Sequence, residues 1–244
     1  MKGYSQVLAE RYEPKADADF STTASLQWMG SQIYLYRVFF GILKKAIENG
    51  LDLSTAKILE VGCGDGRWTR FIAEISKRPD LVSGTDLSRN RIEYARKFNP
   101  AIKYEVADLV TEPIQGEYDL ILAWDVLMHM VSESEVRTAL RQISQGLAPR
   151  GIFVFFDVWS ESHFSPPADA ESWGFHPDEI ERLARDSGLQ SFHFKKVFKV
   201  LPRLGHSEVY YRNYPEWFVR SAEKILPGKA GNFFMLFSKE RETR

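Results

Sequence analysis

The sequence predicts an α/β fold: a doubly wound, mostly parallel sheet of seven strands behind an N-terminal helical cap. Three observations carry that prediction. An apolar run, Lys57-Ile58-Leu59-Glu60-Val61, breaks into glycines two apart, Gly62, Gly64 and Gly66, as a strand does when it feeds a turn that approaches a ligand closely. Short apolar strands then alternate with helix-length amphipathic stretches as far as residue 157, the pattern of a parallel sheet covered on both faces. Two further strand-like runs, at 191–200 and 232–238, complete the seven.

Residues 1–24 are polar, with Tyr4, Tyr12 and Phe20 scattered around Pro14, and read as an arm. From 23 to 49 the apolar residues Leu26, Met29, Ile33, Tyr36, Phe39, Phe40, Leu43, Ala46 and Ile47 recur at three and four, predicting one or two amphipathic helices that end at Gly50 and pack on the sheet. Arm and cap therefore occupy 1–50, and the main domain 51–244. The glycine turn opens a helix over 67–76, and 81–86 is a second strand ending in Asp86, 20 residues beyond Gly66. Ser88 caps a helix over 89–98 that Asn99-Pro100 stops, and 102–106 is a third strand ending at Ala107-Asp108-Leu109. The fourth strand, 118–124, is apolar as a strand buried on both faces should be, and it delivers the chain to Asp125 and His129.

A helix over 133–147, an exit turn at 146–151 and a fifth strand at 152–156 closed by Asp157 follow. The loop 158–176 carries Trp159, His163, Phe164, Pro166, Pro167 and Trp173. His176-Pro177-Asp178-Glu179 then opens a helix that stops at Gly188, with proline and acids in the first turn where they suit it. Between the last two strands lies a long connection, 201–231, with Tyr210, Tyr211, Tyr214, Trp217 and Phe218 within nine positions. Such a cluster can cover a ligand pocket or bury a homodimer interface.

Composition narrows the classes. With 244 residues, 44% hydrophobic and 14% aromatic, the chain can bury a full core as one domain with additions. Lys and Arg number 32 against 33 Asp and Glu, a net charge of −1, so no basic field exists to hold nucleic acid. The single cysteine, Cys63, rules out an internal disulfide and a cysteine-based zinc site and fits a reducing, cytoplasmic setting. No apolar segment follows Met1-Lys2-Gly3-Tyr4-Ser5, so no signal peptide is expected, and the run 33–43, broken by Arg37, is too short to span a membrane.

The glycine spacing selects the ligand. A dinucleotide fingerprint has its third glycine at the sixth position, which here is Arg67, while the third glycine comes one residue early. Glu60 and Asp65 would repel a pyrophosphate and tolerate a cationic ligand without phosphate, and Asp86 suits a ribose diol. Over residues 57–157 the chain resembles the class I S-adenosylmethionine-dependent methyltransferases of small-molecule type, whose first motif reads acid-x-Gly-x-Gly-x-Gly. The resemblance implies a Rossmann-like sheet with an antiparallel last strand and S-adenosylmethionine as cofactor. It also implies cofactor contacts from Glu60, Gly62, Cys63 and Gly64, from Asp86 and Leu87, from Asp108 and Leu109 at the adenine, and from Trp124 and Asp125.

Methyl transfer is a direct displacement, and a hydroxyl acceptor must lose its proton at or before it, which asks for a base of near-neutral pKa. His129, just past the fourth strand, is the candidate, as a base or as a wall of the pocket; His163 and His206 lie in the variable loops. Asp125 and Asp157 end adjacent strands and could share a divalent ion, but metal-dependent relatives follow the second acid with Asn where this chain has Val158, so no metal is expected. The expected function is methylation of a small molecule with a ring or sugar-like face, at oxygen first. The alternatives are transfer to an amine nitrogen and a cofactor-binding protein without transfer. Neither the Pro-Pro-Tyr segment nor the paired glutamates of macromolecule methylators follow the fourth strand.

Overall fold

The structure, a computed structural model, describes residues 26–161, 174–197, 217, 221–222, 225 and 231–239, with side chains from residue 33 onward. The expectations for the arm, for His163 and His206 and for the aromatic run 210–218 apart from Trp217 fall outside those residues.

The helical period at 23–49 forms one helix, α1 (Leu26–Glu48). Its buried face is Leu35, Phe39, Ile42, Leu43 and Ala46, whereas Ile33, Phe40 and Ile47 point outward at 53%, 50% and 48% exposure. The sequence supplies two apolar stripes, and a helix laid on a sheet can bury only one of them. Tyr36 packs on Trp68 and Phe71 as part of the core.

Among the described residues seven strands follow: β1 (Ile58–Val61), β2 (Val82–Asp86), β3 (Lys103–Val106), β4 (Tyr118–Trp124), β5 (Leu147–Val158), β6 (Leu189–Val197) and β7 (Asn232–Lys239). They form one sheet in the order β3-β2-β1-β4-β5-β7-β6. The neighbours from β3 to β5 are parallel, and β7 runs antiparallel to both β5 and β6. The helices are α2 (Arg67–Ser76), α3 (Arg89–Phe98), α4 (Glu133–Gly146) and α5 (Pro177–Arg185).

Strand periodicity divides the core. Leu120, Leu122 and Trp124 of β4, with Ile152, Val154 and Phe156 of β5, face the layer that holds α1, α2 and α3. Ile121, Ala123, Phe153 and Phe155 face the layer of α4 and α5. Both faces are covered, which explains the unbroken apolar runs. By the same alternation Glu60 shares a face with Ile58 and looks toward α2.

Local signals hold the helices in place. Ser88 accepts from the Arg91 N–H, and Ser132 accepts from the Glu135 N–H while the Glu135 carboxylate takes the N–H of Val131, a capping arrangement at the start of α4. The exit turn expected at 146–151 is instead the beginning of β5, which pairs Leu147 with Tyr118 before a register shift. Among the described residues no helix is long and apolar enough to cross a membrane.

Candidate active site at the carboxyl ends of β1, β2 and β4

The strand order reverses beside β1, and at that switch point the carboxyl ends of β1, β2 and β4 frame a cavity of about 270 Å³. Its floor is the glycine turn. The Cys63 N–H donates to the Thr85 carbonyl (2.8 Å) and the Gly66 N–H to the Cys63 carbonyl (2.9 Å), which ties β1 to β2 and starts α2. Gly62 and Gly66 take φ of +65° and +74°. A Cβ on Gly66 would stand 2.5 Å from the Tyr104 hydroxyl oxygen, and one on Gly62 would overlap Val126. Gly66→Ala therefore combines left-handed strain with a clash against a buried tyrosine and should cost about 2–4 kcal/mol in urea-denaturation stability.

Asp86 ends β2 with one carboxylate oxygen accepting from the Gly64 N–H and the other from the Ser88 N–H, each at 2.8 Å. The carboxylate is thereby fixed in orientation at the cavity edge. Leu87, Ser88 and Leu109 line the wall beside it.

On the far side Glu60 is buried and accepts from the Thr69 hydroxyl. Burial raises its pKa to about 8, the Thr69 hydrogen bond opposes the rise, Asp65 adds to it and Arg67 opposes it. Cys63 packs its thiol against Gly84, and burial pushes that thiol well above its usual range, so it stays neutral. Trp124 stacks on Trp68 with centroids 3.8 Å apart, making an aromatic wall.

Asp125 has a left-handed backbone, φ +53°, and its side chain opens into the cavity. Such strain in a non-glycine residue persists only where its surroundings impose it, here the hydrogen bond from the Asp125 N–H to the Phe156 carbonyl at 2.9 Å. Behind it Asp157 is fully buried and accepts from the N–H groups of Met128 and Val158 at 3.1 Å each. Full burial raises the Asp157 carboxyl and the Asp125 charge adds to that rise; at Asp125 desolvation within the cavity raises the carboxyl and Arg67 opposes it. The two acids stand as a pair, and among the described residues no group of three or more His, Cys, Asp or Glu is arranged to hold a metal ion. His129, at the end of the short 3-10 turn Leu127–His129, lines the cavity near Asp125.

The cavity thus gathers Glu60, Gly62, Cys63, Gly64, Asp86, Leu87, Leu109, Trp124, Asp125 and His129. Asp108 stands apart. It lines a neighbouring cavity of about 250 Å³, and its carboxylate accepts from the Val110 N–H at 2.9 Å, bracing the turn that carries Leu109. Sequence reasoning missed Arg67 and Arg91 as cavity residues. For Arg67 a signal existed: it opens α2, whose first turn holds no acid, although a cation at a helix N-terminus is locally unfavourable.

Residues 58–151 match the model of a family described as a methyltransferase domain. The strand order is that of the Rossmann-like methyltransferase fold. It is 32% identical over 108 residues to nodulation protein S of Sinorhizobium fredii, an alignment covering 43% of this chain and 50% of that one. It is 33% identical over 101 residues to the malonyl-[acyl-carrier protein] O-methyltransferase of Salmonella typhimurium, covering 41% and 38%. The chain spans between 30% and 54% of the length of the curated relatives it matches. Its fold is similar to that of magnesium protoporphyrin IX methyltransferase from Synechocystis PCC 6803, solved with S-adenosylmethionine bound, at TM-score 0.67 and 12% identity over 98% of this chain and 99% of that one.

Proposed function

We propose that this chain transfers a methyl group from S-adenosylmethionine to a small molecule, at oxygen in preference to nitrogen. One observation carries the reading: the glycine turn and the backbone-held carboxylate of Asp86 meet at the rim of one cavity, as a nucleoside with a free diol requires. The chain's residues fit that cofactor. With its oxygens fixed by Gly64 and Ser88, Asp86 directs its remaining lone pairs to the ribose hydroxyls. Leu87 and Leu109 supply apolar surface for the adenine ring. The adenine amine falls to Asp108 in this reading, at the seam where the two cavities share Thr85, Ala107 and Leu109. The Glu60 carboxyl, opposite Asp86, serves the ammonium of the amino-acid end.

Once bound, the cofactor supplies an electrophilic methyl on a sulfonium. The chain's own contribution is position and exclusion of water. The Trp68–Trp124 stack closes one wall, and Asp125 and His129 border the side from which an acceptor can enter. His129 is assigned the removal of the acceptor's proton. A relative named for an O-methylation supports oxygen as the target.

Calorimetric titration tests the reading. S-adenosylmethionine should bind the wild type and NADH should not, and Asp86→Ala, with its fold checked by circular dichroism, should lose about 1–3 kcal/mol of that affinity. Preference for NADH, or no binding of S-adenosylmethionine, would overturn the reading.

A further inference from the structure

We propose that Asp157 is the positioning residue of this site: its buried carboxyl holds the turn Leu127–His129 and, through that turn, presents the His129 ring to the cavity. The inference rests on the methyl-transfer reading above and extends it to a residue that does not line the cavity.

The turn has no cap of its own. The first N–H groups of a helical turn have no carbonyl to bond within it, and a side-chain oxygen at the preceding position commonly accepts from them. Here that position is Val126, which has no such oxygen. Valine stands there for another reason: it packs against Gly62, where any Cβ would overlap it. The cap comes from the neighbouring strand instead. Trp124 and Phe156 are partners across β4 and β5, so Asp157 stands beside the point where the chain leaves β4. Its Oδ2 accepts from the Met128 N–H and its Oδ1 from the Val158 N–H, each at 3.1 Å, and the Leu127 N–H acts on the same carboxyl. At 0% exposure no solvent competes for these bonds.

Packing alone does not place the ring. Leu127 and Met130 are fully buried in the layer of α4 and α5 and fix the depth of the turn, but apolar contact has no direction. Hydrogen bonds do, so the carboxyl sets the rotation of the turn and with it the side from which His129 meets the cavity. The residue type fits the task. Only a carboxyl offers two acceptor oxygens, one for the turn and one for Val158, where asparagine offers one.

A carboxyl that serves only the fold predicts something different: its loss lowers stability and leaves the ring where it was. The probe is S-adenosylhomocysteine, and the readout is the shift it induces in the imidazole NMR signal of His129, identified among the five histidines by its absence in His129→Gln. The wild type should show that shift. Asp157→Ala should bind the probe within about 10-fold of the wild type in calorimetry and should lose most of the shift. Asp157→Asn should keep most of it, its one oxygen facing the two donors of the turn.

A full shift in Asp157→Ala overturns the proposal. So does equal loss in the alanine and asparagine variants, which would make charge rather than the acceptor oxygen the cause. Wild-type binding with no shift at His129 overturns the proposal while the cofactor reading stands; no wild-type binding overturns the cofactor reading itself. Where the wild type or Asp157→Ala gives no complex to observe, amide hydrogen exchange of the ligand-free wild type decides. The Met128 N–H should exchange as slowly as the His129 N–H, which bonds the Val126 carbonyl inside the turn, and exchange faster by about 10-fold or more overturns the proposal.

Discussion

Glu60→Gln should stabilise the ligand-free protein by on the order of 3–5 kcal/mol at pH 9 and change its stability little at pH 4.5. Glu60 is 2% exposed, and its pKa rises from 4.5 to about 8, chiefly through burial. Between those two values the folded protein keeps a proton that the unfolded chain releases. Stability falls with pH wherever the native state binds more protons, so the contribution is complete below pH 4.5 and is lost as pH rises through 8. Glutamine keeps an acceptor for the Thr69 hydroxyl and carries no charge to bury. Asp125 and Asp157 add a slope of the same sign, so the reading is the difference between the wild type and Glu60→Gln in urea denaturation across pH 4.5–9. Parallel curves would sink the expectation. The substitution should also flatten the pH dependence of cofactor affinity, because a cationic ligand binds the ionised carboxylate and displaces its proton.

Phe39→Ala should cost about 3–5 kcal/mol and lower Tm by roughly 6–20 °C, read by calorimetric melting. Phe39 is fully buried and joins three parts of the molecule: its ring lies 5.3 Å from Trp68 on α2, 5.3 Å from Trp124 at the end of β4 and 6.2 Å from Phe234 on β7. Truncation leaves a cavity bounded by rigid rings that relax poorly, and it removes the backing of the Trp68–Trp124 wall. Near-UV circular dichroism of the tryptophans should change as well. Phe40→Ala, one residue on and half exposed, is the control and should cost under about 1 kcal/mol. Equal losses from the two substitutions would mean that α1 is held by something other than this contact.

Much of the fold was legible because each signal was local. The Ser88 cap, the apolar stretch of β4 and the proline at the first position of α5 set their elements without help from distant residues. The Gly62–Gly66 turn and Asp86 were legible as a site for the same reason: positive φ and a carboxylate at a strand end are properties of short segments. Other features depend on what lies across a gap. Which apolar stripe of α1 faces the sheet is decided by the rings of Trp68, Phe71 and Phe234, far off in sequence. That Asp108 lends its carboxylate to the Val110 N–H, while Arg67 turns into the cavity, is decided by side-chain direction, which strand and helix periods do not encode. The left-handed backbone at Asp125 was likewise not legible: aspartate visits that conformation more readily than most residues, but nothing in the local sequence requires it there.

The pairing of β6 with β7 bears on how such a chain can change in length. Val197 and Asn232 are partners across the two strands, and the Gly231 N–H donates to the Val197 carbonyl at 3.2 Å. The two ends of the connection between them therefore meet the sheet at a single point. The entropy of closing such a connection grows only with the logarithm of its length, so the sheet is nearly indifferent to how many residues it holds or what they are. By that argument the length of the 198–231 connection can change while the strands that carry the glycine turn, Asp86 and Asp125 stay in register.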